Sequence, residues 1–135
     1  MSNRSRSGDW LAVTAVAFLA ANLLHGVDHL RTGPDRLSVP VLAIGPLITA
    51  AAMVALAYAW RGDRRAAVVA SAVGLSSAVL VANAHLVPHW GALSDSYVGG
   101  SFDAFSWAVA IAEVVASLAL GLAGLRRLRR DAVAT

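Results

Sequence analysis

The sequence predicts an all-α integral membrane protein, a bundle of four transmembrane helices with both termini in the cytoplasm. Three observations carry this expectation. Of the 135 residues, 58% are hydrophobic and only 14% charged, whereas about a quarter of a soluble domain is charged. The apolar residues gather in four runs, at 10–30, 38–60, 66–87 and 104–125. Each run is close to the ~20 residues that cross a ~30 Å hydrocarbon core. Arginine, present without any lysine, sits at the ends of the runs.

The first run follows a short polar arm, residues 1–8, with Arg4 and Arg6. A basic start before an apolar run also describes a signal peptide. This run exceeds a typical signal core and lacks a convincing small-residue cleavage pattern, so it is expected to stay as a span. Gly33, Pro34 and Asp35 mark the turn that follows. Ser38 caps the second span, and Pro40 falls in its first turn, where a missing N–H is harmless. Pro46 lies deeper and is expected to bend the helix. Tyr58 and Trp60 suit the far interface. The tight connection at 61–65 makes the second and third spans antiparallel neighbours. The third span is rich in Ala, Ser and Gly, which permits close helix approach in lipid. A longer polar loop precedes the fourth span, which ends in Arg126, Arg127, Arg129 and Arg130.

Orientation follows from the arginines. Arg4, Arg6, Arg61, Arg64, Arg65 and the four of the tail share one side, against Arg31 and Arg36 on the other. The positive-inside rule then puts both termini in the cytoplasm and the first and third loops outside. The formal charge of +3 thus reflects membrane orientation, and a nucleic-acid partner is excluded. The Ala, Val and Arg bias points to a bacterial inner (plasma) membrane. The expected partners are the lipid bilayer and either a second copy of the chain or a larger membrane complex.

All four histidines close the two outward-running spans, as His25-x3-His29 and His85-x3-His89. Positions four apart stack on one helix face, so each pair presents two imidazoles together. The first and third spans both end in A-N…H-x3-H, which suggests two duplicated helical hairpins. Asn22 and Asn83 stand at unequal distances from their histidines, however. At ~100° per residue Asn22 shares the His25 face, while Asn83 points nearly opposite His85.

With no cysteine, ligands are limited to imidazole and oxygen, which suits zinc, copper or iron. The expected metal ligands are His25, His29, His85, His89 and Asp28, with Asn22, Asp95, Asp103 and Glu113 as further ligands or orienting groups. Glu113 is the only glutamate and lies roughly 13 Å below Ala104 along the helix, near mid-membrane. A carboxylate there is the candidate catalytic base if the site is an enzyme's. Asp103, Ser106, Ala110, Glu113 and Ser117 form one stripe of that helix.

Two other readings fit the same pattern. One histidine from each pair can ligate a b-type haem axially. Alternatively the chain is a non-catalytic subunit whose small-residue faces pack against larger partners. The zinc-protease H-E-x-x-H, Walker, Rossmann and serine-hydrolase motifs are absent.

If the histidines form one centre, His25 and His85 must approach within about 4–8 Å, with Glu113 beneath them in reach of Asn22.

Overall fold

The computed structural model describes residues 4–33 and 37–133, with side chains from residue 10 onward. The turn expected at Pro34 and Asp35 lies outside the described residues, as does Arg36. The chain is all-helical: α1 (Arg4–Thr32), α2 (Val39–Trp60), α3 (Ala66–Val81) continued by a π-helical turn (Ala82–Leu86), and α4 (Ala104–Val133). Four helical segments are long and apolar enough to cross a membrane: Trp10–Thr32, Val39–Trp60, Ala66–Leu86 and Ala104–Val133. α1 begins inside the stretch expected to be a polar arm, and α4 runs eight residues past the expected end at Leu125. Both extensions are arginine-bearing, and arginine is a good helix former.

Local chemistry fixes the boundaries. The Ser38 hydroxyl accepts from the Val41 N–H, and Pro40 stands in the first turn of α2. α2 ends at Gly62, whose φ of +63° is open to glycine at little cost. There the Gly62 N–H bonds the Ala59 carbonyl, and the Asp63 N–H the Tyr58 carbonyl, the two bonds of a Schellman motif. Asp63 then turns the chain into α3, its carboxylate accepting from the Arg65 N–H at 2.7 Å. Asp103 starts α4 by accepting from the Ser106 N–H at 3.0 Å.

Each helix packs on its chain neighbours, and α4 closes the bundle against α1. The most extensive interface is α3 with α4, where the helices meet backbone to backbone. A Cβ added to Gly74 would lie 2.4 Å from the Gly121 nitrogen, and one on Gly124 would lie 2.6 Å from the Ala67 carbonyl oxygen. α1 and α3 touch little, across the diagonal. An apolar core of Leu11, Ala15, Phe18, Ala52, Ala55 and Leu120 fills the half of the bundle away from the histidines. The outward faces are apolar as well, with Val16, Leu47, Met53, Val79 and Val115 all about half exposed or more.

Candidate metal centre

The site is assembled at one end of the bundle from α1, the end of α3, the loop after it and α4. On α1, Asn22, His25 and His29 share the inward face, as spacings of three and four require. On α3 the regular helix gives way at Ala82 to a π-helical turn that holds His85 buried. Such widened turns are frequent at functional sites. Val87 is extended, with φ −107° and ψ 156°, because Pro88 excludes the helical region for the residue before it. The helix therefore stops one residue short of its expected end.

That break decides the fate of His89. With no helix beneath it, His89 does not stack above His85 and is exposed. It lies outside the close group of the other three, although its spacing predicts it there. The remaining three histidines converge: His25, His29 and His85 offer ligand atoms that all lie within 4.8 Å of one another. Ring centroids are 4.4 Å apart for His25–His29, 4.8 Å for His25–His85 and 5.1 Å for His29–His85. The last two separations join α1 to the turn that continues α3, across the bundle diagonal.

Neighbouring groups orient two of the three rings. Glu113, fully buried on α4, holds His25 Nδ1 at 2.5 Å through one carboxylate oxygen. Its other oxygen accepts from the Asn22 amide at 2.8 Å. The Asn22 carbonyl oxygen in turn accepts from the Thr49 hydroxyl at 2.6 Å. A continuous hydrogen-bonded chain thus runs from α2 through α1 and α4 to the imidazole. His85 Nδ1 donates to the Asp95 backbone carbonyl at 3.0 Å, which leaves Nε2 with its lone pair. Among the described residues neither that nitrogen nor either ring nitrogen of His29 has a hydrogen-bond partner. His25 Nε2 faces the Tyr97 hydroxyl at 3.1 Å. Ion binding at His25 would exchange this contact for a metal bond.

The loop is tied down around the site. The Tyr97 N–H bonds the His85 carbonyl at 2.9 Å, within the widened turn. Tyr97 stacks on Phe102 and lies 4.7 Å from the His85 ring, and burial pushes its hydroxyl pKa upward. The Asp95 carboxylate caps the start of α2 by accepting from the Ser38 N–H at 2.9 Å.

The aspartates have other partners. Asp28 is buried beside Arg31, which donates to its Oδ1 from Nε and Nη2 at 2.9 and 2.7 Å. Arg31 also grips Asp103 with both terminal nitrogens, at 2.8 and 2.9 Å. This clamp joins the end of α1 to the start of α4. The Arg31 hydrogen bond, with the Ser106 N–H, holds the Asp103 carboxyl down at about 2. Asp28, Asp95 and Asp103 therefore act through helix ends and the arginine, and none joins the histidine group. The Asn83 side chain, exposed, donates to its own helix at the Val79 carbonyl. The two A-N…H motifs thus occupy different environments.

Sequence reasoning did not single out Arg31 or Thr49 for the site. The Asp28-x-x-Arg31 spacing is the signal for the first. Nothing local marks Thr49, whose role depends on which helix faces it.

His25, His29 and His85, with Asn22, Thr49 and Glu113, also line a cavity of about 760 Å³. Its remaining walls come from α1, the first half of α2 and the end of α3, and are almost wholly apolar.

Comparison with protein families, with curated proteins and with solved structures finds no match for this chain.

Proposed function

We propose that the protein is a small integral membrane metalloprotein holding one divalent transition metal ion, zinc, copper or iron, on His25, His29 and His85 near the outer membrane face. The observation that carries this reading is the orientation of the rings. Imidazoles that bind metals commonly give their other N–H to a carboxylate or carbonyl. His25 has Glu113 and His85 has the Asp95 carbonyl in those positions. Among the described residues, His85 Nε2 and the ring nitrogens of His29 make no hydrogen bond that an ion would have to displace. An ion bonded at ~2.0–2.1 Å by all three needs the nitrogens within about 4 Å, a closure of roughly 1 Å from the 4.8 Å observed. Three protein ligands leave a fourth position open, the arrangement of a catalytic rather than a closed structural site.

Membrane insertion is supported by four apolar segments of spanning length and by their apolar outward faces. The arginine distribution supports cytoplasmic termini. Arg31 and Arg36 on the histidine side stand against nine arginines on the other, so they weigh little against that orientation. A reporter active only outside the cytoplasm should work when fused after Gly99 and fail after Thr135. The opposite pattern would invert the topology.

The haem reading is less well supported. Two axial imidazoles hold their nitrogens on opposite faces of a macrocycle, whereas here three rings touch one another. The metal reading is tested by elemental analysis of purified protein with a visible spectrum alongside. We expect one transition metal ion per chain and no Soret band. His25→Ala and His85→Ala should each abolish retention, and His89→Ala should leave it intact. Protein that refuses zinc, copper and iron would reject the metal site and favour the interaction-subunit reading.

A further inference from the structure

We infer that the cavity beside the histidines binds a single-chain amphiphile drawn from the bilayer, its oxygen-bearing head at the imidazoles and its chain along the first half of α2. The placement of the head rests on the metal reading above; the placement of the chain does not.

The cavity has a two-sided character. Asn22, His25, His29, Thr49, His85 and Glu113 gather on one part of its wall, linked by hydrogen bonds and ring contacts, and Asn83 and Trp90 are the other polar lining residues. The other walls are aliphatic, including Val27, Val41, Ile48 and Leu80. Ligand sites typically combine apolar walls with a few convergent polar groups, and ~300–1,000 Å³ is their usual range. At about 760 Å³ the space suits one chain with its head rather than a two-chain phospholipid. The unpartnered nitrogens of His29 and His85 give the polar end a reason to be filled. An oxygen donor such as a carboxylate can complete the open coordination position that three imidazoles leave.

Access is lateral. Val27 and Leu80 line the cavity and are themselves partly open to the outside, at 57% and 43% exposure. These flanks are where a bilayer would lie, so a ligand need not cross water. Glycines thin the walls at two points. A Cβ at Gly26 or at Gly45 would meet no atom within 4 Å, and both residues line the cavity. Larger side chains at these positions can therefore enter the cavity without colliding with the fold. Pro46, next to Gly45, removes a backbone bond from α2 at this level.

The test uses a long-chain fatty acid carrying a mid-chain diazirine, photo-crosslinked to the full-length protein in phosphatidylcholine nanodiscs and mapped by peptide mass spectrometry. Label should concentrate on segments 41–49 and 79–85, several-fold above the outward positions Val115 and Leu118 of α4. Gly45→Phe, and independently Gly26→Leu, should cut the cavity label several-fold while leaving the α4 label and the helical circular dichroism unchanged. The methyl ester of the same probe should label the cavity less than the acid. Even labelling of all outward faces would overturn the inference, as would insensitivity to both substitutions. Equal cavity labelling by a diazirine-bearing phosphatidylcholine would overturn its single-chain part. Protein that binds no metal yet labels in the cavity keeps the chain site and rejects the metal. Metal-loaded protein that labels evenly does the reverse.

Discussion

A methyl group at Gly74 is expected to destabilise the protein by about 3 kcal/mol, and leucine there to prevent assembly of the bundle. Overpacking is tolerated when the obstructing atoms belong to a flexible side chain. Here they are the Gly121 nitrogen, the Ser117 carbonyl oxygen and the Gly121 Cα, at 2.4, 2.5 and 2.8 Å from the added Cβ. All three are backbone, so the collision is relieved only by parting α3 from α4. That interface is the largest in the bundle, and close packing of small residues is what holds helices together in lipid. Separation would also carry His85 away from the α4 residue Glu113. Unfolding in a detergent series, followed by circular dichroism, measures the effect. The control is Gly26→Ala, where nothing lies within 4 Å. It should be neutral or gain up to about 1 kcal/mol from helix propensity. Equal behaviour of the two substitutions would mean that the α3–α4 contact is not the main source of stability.

The second large effect separates stability from metal binding at one residue. Glu113→Ala should cost about 2–6 kcal/mol, about 1–3 for each of the two buried polar groups left without a partner. It strands the Asn22 amide and His25 Nδ1, both buried with Glu113 as their acceptor or partner. Glu113→Gln should keep most of the stability, since its oxygen can still accept from Asn22. Its amide nitrogen, however, is a donor facing His25 Nδ1. The imidazole must then accept there and carry its proton on Nε2, which removes the lone pair needed by an ion. Loss of such an orienting partner weakens metal binding by roughly 10–100-fold, and a forced tautomer should place this variant at or beyond the upper end. Metal titration of the two variants, beside their unfolding curves, checks both halves. A Glu113→Gln protein that retains metal as wild type does would show that Glu113 is structural only.

The helices were legible in the sequence because spanning length and end signals are local properties. Ser38, Pro40, Gly62 and Asp63 act within a few residues of themselves, and the structure uses each of them. The inward face of α1 was legible too, since 3.6-residue periodicity alone stacks Asn22, His25 and His29. So was the inward position of Glu113, which shares a buried stripe of α4 with Ser106, Ala110 and Ser117. The exposed position of His89 also has a local signal. Pro88 ends the helix, and a four-residue interval has no stacking meaning once the helix has stopped.

Tertiary structure alone decided which faces meet. No periodicity says that His85 reaches His25 across the diagonal, that Glu113 bonds both Asn22 and His25, or that Thr49 completes the chain from α2. Nor does it assign Asp28 and Asp103 to Arg31, which leaves the close cluster to the three imidazoles. The reason is physical: a sequence fixes the chemistry carried on each helix face, through backbone geometry within a few turns. The rotation of one helix against another depends on side chains distant in the chain, here the glycines and serines that let α3 and α4 touch. That close approach brings His85, beyond the end of α3, and Glu113 of α4 to the same cavity.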